Sequence, residues 1–191
     1  MLIKCGLKIQ SAFLLCYNST MDIFIIKIND QDCELLKDAL QDFRYKEISN
    51  PRKLFEHCLT YLMLDRILED FYSIEDRTLD FINGKPFLKS NLKKFSISHS
   101  NDYIVLAFSD FDCGIDIEKN KLRDFSPIAK RMKFPECQTL GDFYTAWTTY
   151  EAEYKLAKPY NSATTWLVGD YTLTAVSENP DEHYKVFMEL E

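Results

Sequence analysis

The chain of 191 residues is 46% hydrophobic and 28% charged, enough apolar material for a buried core, which excludes a disordered or low-complexity polypeptide. A formal net charge of -7 excludes a protein that coats nucleic acid by general attraction, yet leaves room for a local basic pocket that takes a phosphorylated small molecule. The six cysteines (Cys5, Cys16, Cys33, Cys58, Cys113, Cys137) are scattered without a CxxC pair, so reduced, mostly buried thiols are expected rather than a zinc site or a disulfide scaffold.

The start, apolar in pieces but interrupted by Lys4, Lys8, Gln10 and Asn18, lacks a cleavable leader pattern. No stretch approaches the roughly 20 apolar residues of a membrane helix, so a cytoplasmic location without a membrane partner is expected. "MDIFIIKI" mixes β-branched and aromatic residues and predicts a strand, preceded by one or two others. "NPRKLFEHCLTYLMLDRILEDF" then changes period. Asn50 is placed to cap a helix with Pro51 in its first position, and Leu54, Phe55, Cys58, Leu59, Leu62, Met63, Ile67 and Phe71 form its apolar face.

Asn83-Gly84 turns the chain before "KPFL". Tyr103 to Phe108 and Phe111 to Glu118 both look like strands, and the short gap between them predicts an antiparallel hairpin. A second helix is expected from Thr139, with Asp142 in its first turn and Phe143, Ala146, Trp147, Tyr150 and Tyr154 on its packed side. Two strands around Gly169-Asp170 and a terminal strand in "YKVFMEL" complete the pattern. Strands and one long helix recur in each half, which predicts an α+β fold of two similar halves, residues 1–100 and 101–191, each an antiparallel sheet on a long helix, with the active site between them.

Chemistry concentrates in the second half. In a strand from Phe111 to Glu118, the period of two sends Cys113, Ile115 and Ile117 to one face and Gly114, Asp116 and Glu118 to the other. Paired carboxylates raise each other's ionisation cost unless solvated or sharing a cation, and oxygen ligands of this kind suit Mg²⁺. The plain alternative is an exposed sheet face ending in a charged turn. On the second helix Glu151 and Lys155 share a face, as an ordinary salt bridge or as a third acid and a phosphate-binding cation. In "SISHS", Ser98 and His99 offer donors that suit a phosphate; Lys85 follows a flexible Gly84.

"NGKPFL" at 83–88, "FSISHS" at 95–100, "GIDIEK" at 114–119 and "WTTYEAEYK" at 147–155 together resemble, in order and approximate spacing, the 4'-phosphopantetheinyl transferase family, especially its longer, pseudo-dimeric branch. The resemblance implies transfer of 4'-phosphopantetheine from coenzyme A to a serine of an acyl or peptidyl carrier protein, releasing 3',5'-ADP. It implies Mg²⁺ held by Asp116, Glu118 and Glu151, with Gly114 leaving room for the cofactor. Lys155 would touch phosphate, Ser98 and His99 the 3'-phosphate, and Lys85 the adenine and ribose side. Glu151 would act as base, directly or through a metal-bound water. The chain has Tyr150 where the family carries lysine, and His57 near an expected arginine, with Arg52 and Lys53 close by.

The expected partners are a carrier protein and coenzyme A, with neither nucleic acid nor membrane engaged by a monomer. Lys121 to Lys133, with Arg123, Lys130 and Arg131 among Phe125, Met132 and Phe134, is the candidate carrier surface, the alternative being an ordinary peripheral amphipathic helix. The alternatives are a degenerate member that binds without transfer, and an unrelated domain whose acids only decorate its surface.

Overall fold

The computed structural model describes residues 19–28, 48–134 and 137–188. The strand or strands expected ahead of "MDIFIIKI" lie outside these residues. The fold is mixed α+β. In chain order it comprises β1 (Thr20–Lys27), α1 (Pro51–Arg66), β2 (Leu79–Ile82), β3 (Lys85–Leu88), β4 (Lys94–Ser100), β5 (Tyr103–Ser109), β6 (Cys113–Lys119), α2 (Ser126–Met132), α3 (Leu140–Leu156), β7 (Ser162–Val168), β8 (Tyr171–Ser177) and β9 (His183–Met188).

The strands form a four-stranded sheet in the order β4-β5-β1-β9, a three-stranded sheet in the order β6-β8-β7, and a separate β2-β3 hairpin. Alternation along β1 divides the core. Phe24 and Ile26 pack with Phe55, Leu59, Met63 and Leu64 of α1. Met21, Ile23 and Ile25 pack with Ile115 and Ile117 of β6 and with Leu173 and Ala175 of β8. The larger sheet is therefore covered by α1 on one side and by the smaller sheet on the other, which is why β1 and β5 read as nearly continuous apolar runs. The far side of the smaller sheet is closed by α3, whose Ala152 and Leu156 meet Val176.

Both long helices start where the sequence places them. The Asn50 side chain accepts from the backbone N–H groups of Arg52 and Lys53, with Pro51 at the first position. Thr139 and Asp142 exchange the two bonds of a capping box, each occupying a donor that the first helical turn leaves free. After Arg66, α1 continues as a π-helical turn, Ile67–Phe71.

Three expectations are corrected. First, β5 and β6 do not form a hairpin: β5 has β4 and β1 on its two edges, and β6 pairs with β8. With both edges of β5 taken, the chain must leave the larger sheet after Ser109 and begin the smaller one at Cys113. Second, Tyr150 and Tyr154 are not on the packed side of α3 but 41% and 74% exposed. The packed side is Phe143, Tyr144, Thr148, Ala152 and Leu156, with Ala152 at the point where the helix backbone comes closest to Gly114 of the strand. Third, the division between residues 100 and 101 falls in the turn of the β4-β5 pair, and β9 returns to the larger sheet, parallel to β1.

A buried carboxylate closes that return. Glu182, just ahead of β9, accepts from Ser19 (3.0 Å), Ser109 (3.1 Å) and Ser177 (2.8 Å). Three hydroxyl donors supply in the interior what water would otherwise supply.

Candidate functional site

The site is built where β6 meets α3. Ile115 and Ile117 are buried in the core shared by the sheets, so the opposite face of β6 presents Gly114, Asp116 and Glu118 toward the helix. Gly114 does not make room for a ligand. A Cβ there would stand 1.9 Å from the backbone oxygen of Ala152, so the missing side chain lets helix and strand touch. That contact brings Lys155 into a bond with Asp116 and Glu151 into the electrostatic reach of Asp116 and Glu118.

Asp116 is 5% exposed. Its Oδ1 accepts from Ser98 Oγ at 2.8 Å and from Lys155 Nζ at 2.7 Å, while its Oδ2 is buried with no hydrogen-bond partner. Lys155 also donates to the carbonyl of Ile115 at 3.0 Å, so the ordinary salt bridge between Lys155 and Glu151 is not formed: the ammonium turns to the strand instead. Glu118 accepts from Ser100 Oγ at 3.1 Å.

Glu151 is half-buried. Burial, followed by the negative charge of Asp116, pushes its carboxyl above the usual carboxylate range; Lys155 opposes this and Glu118 adds to it. Glu151 thus lies in the field of both strand acids, which favours its protonated form. Among the described residues, no three His, Cys, Asp or Glu side chains stand close enough to ligate a single ion. The donor set is nonetheless all oxygen, and the unpartnered Asp116 Oδ2 is the kind of buried atom that a hard divalent cation satisfies.

Lys85 reaches the same place from the β2-β3 hairpin, donating to the carbonyl of Lys155 at 2.6 Å; burial holds its ammonium below the usual lysine range. Between the hairpin and the last turn of α3 lies a cavity of about 900 Å³. Its lining carries Lys85, Lys93, Lys94, Lys155 and Lys158 against two acids, Asp112 and Glu153, together with Tyr150 and Tyr154. Three of these lysines are paired with acids, Lys93 with Asp110, Lys94 with Asp112, and Lys158 with Asp112 and Glu178, so Lys85 and Lys155 are the lysines of the wall nearest the carboxylates of β6.

Ser98 and His99 are not brought together. They lie within β4, and strand alternation sends the buried Ser98 toward Asp116 and the exposed His99 to the opposite face. There its charge bears on His57 of α1, which burial and His99 hold below the usual imidazole range. Arg52 bonds the carbonyl of Asn101 and the carboxylate of Asp102. In the candidate carrier surface, α2 buries none of its residues. Phe125 stacks on Phe143 with ring centroids 5.2 Å apart, Arg123 lies over the Phe143 and Tyr144 rings, and Lys130 and Arg131 are exposed.

The sequence reading missed Lys93, Lys94 and Lys158 in the cavity wall, which lack any local signature, and the roles of Ser96 and Ser100. For the serines a signal was present: hydroxyls at every second position of "SISHS" match the every-second-residue pattern of "GIDIE". No helix among the described residues is long and apolar enough to cross a membrane. Comparisons with protein-family models and with curated proteins find no match to this chain.

Proposed function

We propose that the protein transfers 4'-phosphopantetheine from coenzyme A to a serine hydroxyl of an acyl or peptidyl carrier protein and releases 3',5'-ADP, on a 4'-phosphopantetheinyl transferase-like fold of two related halves. The observation that carries this reading is the bond from Lys155 of α3 to the buried Asp116 of β6, with Glu151 and Glu118 within electrostatic reach, beside a cavity whose wall carries Lys85 and Lys155. The buried Asp116 Oδ2, unpartnered while Oδ1 is held by Ser98 and Lys155, supports a site that takes a cation.

Asp116, Glu118 and Glu151 are the residues that would hold Mg²⁺, which when bound neutralises charge on the pyrophosphate. The cavity lysines and Tyr154 suit an anionic, aromatic nucleotide. Lys155 touches the phosphate at the bond that breaks and balances negative charge as the 3',5'-ADP leaves. Glu151, held above the usual carboxylate range, is a stronger proton acceptor than an ordinary glutamate and takes the proton of the incoming serine hydroxyl. That oxygen bonds to the phosphorus bearing the pantetheine arm as the bond to the ADP oxygen breaks.

The competing reading, binding of coenzyme A or a carrier protein without transfer, rests on Tyr150, which lines the cavity where a cation is expected. The deciding experiment is mass spectrometry of several apo carrier proteins after incubation with the protein, coenzyme A and Mg²⁺. A carrier that gains one phosphopantetheine group, and no gain with Asp116→Ala, supports the transferase. Binding without any gain across the panel supports the competing reading.

A further inference from the structure

Among the described strands β6 is an edge strand, paired with β8 alone, so its outward N–H groups need partners from outside its own sheet. They find them in side chains. Ser96 Oγ accepts from Ile115 N at 3.1 Å, Ser98 Oγ from Ile117 N at 3.2 Å and Ser100 Oγ from Lys119 N at 3.2 Å. The constant offset along both strands means that β4 and β6 run side by side in the same direction, with hydroxyls in place of carbonyls as the rungs. All three serines are buried.

Each hydroxyl has one proton left to donate. Ser98 gives its proton to Asp116 and Ser100 to Glu118. The residue in the matching place beside Ser96 is Gly114, which has no side chain. The three rungs are thus alike as structural bonds and unlike in what they hold: two carry a carboxylate and one does not. A backbone strand in place of the serines would satisfy β6 equally well but would leave Glu118 without its hydroxyl donor and Asp116 held by Lys155 alone.

We propose that Ser98 and Ser100 are positioning residues that set the rotamers of Asp116 and Glu118 for a divalent cation, and that Ser96 serves the strand alone. The proposal rests on the metal reading above and adds to it an outer layer of hydroxyls contributed by the other sheet. Glu118 has only Ser100 among its described bonds, whereas Asp116 is also held by Lys155, so loss of Ser100 has the larger effect.

The test uses the full chain and Mn²⁺ alone, with free ion counted by electron paramagnetic resonance and stability measured by urea denaturation. Removing an outer hydrogen bond to a metal ligand typically lowers affinity about 10- to 100-fold. Ser100→Ala is expected in that range, Ser98→Ala is weakened less, Ser96→Ala binds as wild type, and all three lose similar stability. Ser100→Thr, which keeps a hydroxyl, is expected to retain most of the affinity. If Ser100→Ala does not fold, Ser98→Ala against Ser96→Ala makes the same comparison. Wild-type binding with all three alanine variants unchanged, or equally weakened, overturns the positioning role and leaves the metal reading intact. Wild-type protein that takes up no Mn²⁺ overturns both.

Discussion

Replacing Gly114 with alanine tests whether the touching of β6 and α3 builds the site. The added Cβ would lie 1.9 Å from Ala152 O, 2.9 Å from Ala152 C and 3.1 Å from Leu156 N. All three are backbone atoms, so no side chain can swing aside. Restoring an ordinary contact of at least 3.4 Å to the oxygen requires helix and strand to separate by about 1.5 Å, since dispersion contacts turn repulsive well inside their optimum. Overpacking of this kind costs about 2 to 3 kcal/mol, which for a chain of this size lowers the melting temperature by about 4–12 °C. The same separation breaks the 2.7 Å bond between Lys155 and Asp116, and a misplacement of about 1 Å at reacting groups can lower turnover about 100-fold. Calorimetry gives the first quantity and the carrier-mass assay the second. Gly114→Ala/Ala152→Gly is expected to remain as unstable as the single variant. A wild-type melting temperature for Gly114→Ala, or rescue by the second change, would refute the reasoning.

Two further outcomes follow from charge and capping. The carboxyl of Glu151 is raised by burial and then by Asp116, so the folded state holds its proton to higher pH than the unfolded chain does. Its contribution is fully present below the unfolded-chain value and is lost as pH rises through the folded one, so ionised Glu151 weakens the fold at neutral pH. Glu151→Gln is therefore expected to be more stable than wild type at neutral pH, with the gap in urea midpoints shrinking as pH falls into the ordinary carboxylate range; a gap independent of pH would contradict this. Thr139→Ala removes the capping box of α3 and is expected to lower stability by about 1 kcal/mol. Faster hydrogen exchange at the Asp142 amide checks the cause, and unchanged protection there would count against it.

The features legible in the sequence are those fixed within a few residues. Asn50-Pro51 and Thr139 with Asp142 announce their helices because a cap acts within one turn. The division of β6 into packed isoleucines and presented acids follows from alternation alone. What was not legible depends on partners distant in the chain. Nearness in sequence favoured a β5-β6 hairpin, but β1 claims the edge of β5 from a place far upstream. Helical period alone cannot say which side of α3 meets the sheet; that was settled by Gly114, whose bare backbone selects Ala152 as the contact point and turns Tyr150 and Tyr154 to the cavity. His99 and Ser98 looked like one group because they are neighbours, although a strand separates neighbours.

The parallel seating of β9 against β1 has a consequence for synthesis. The larger sheet holds an early strand beside the last one described, so its fourth strand is not available while the ribosome is still making β6, α3 and the β7-β8 hairpin. Until then the nascent chain carries an open β1 edge and a Ser19 and Ser109 still waiting for Glu182. Such an exposed edge is a site for pairing with other chains, and long-range pairing of this kind is slow. Premature termination ahead of Glu182 therefore yields an aggregation-prone fragment rather than an independent smaller protein.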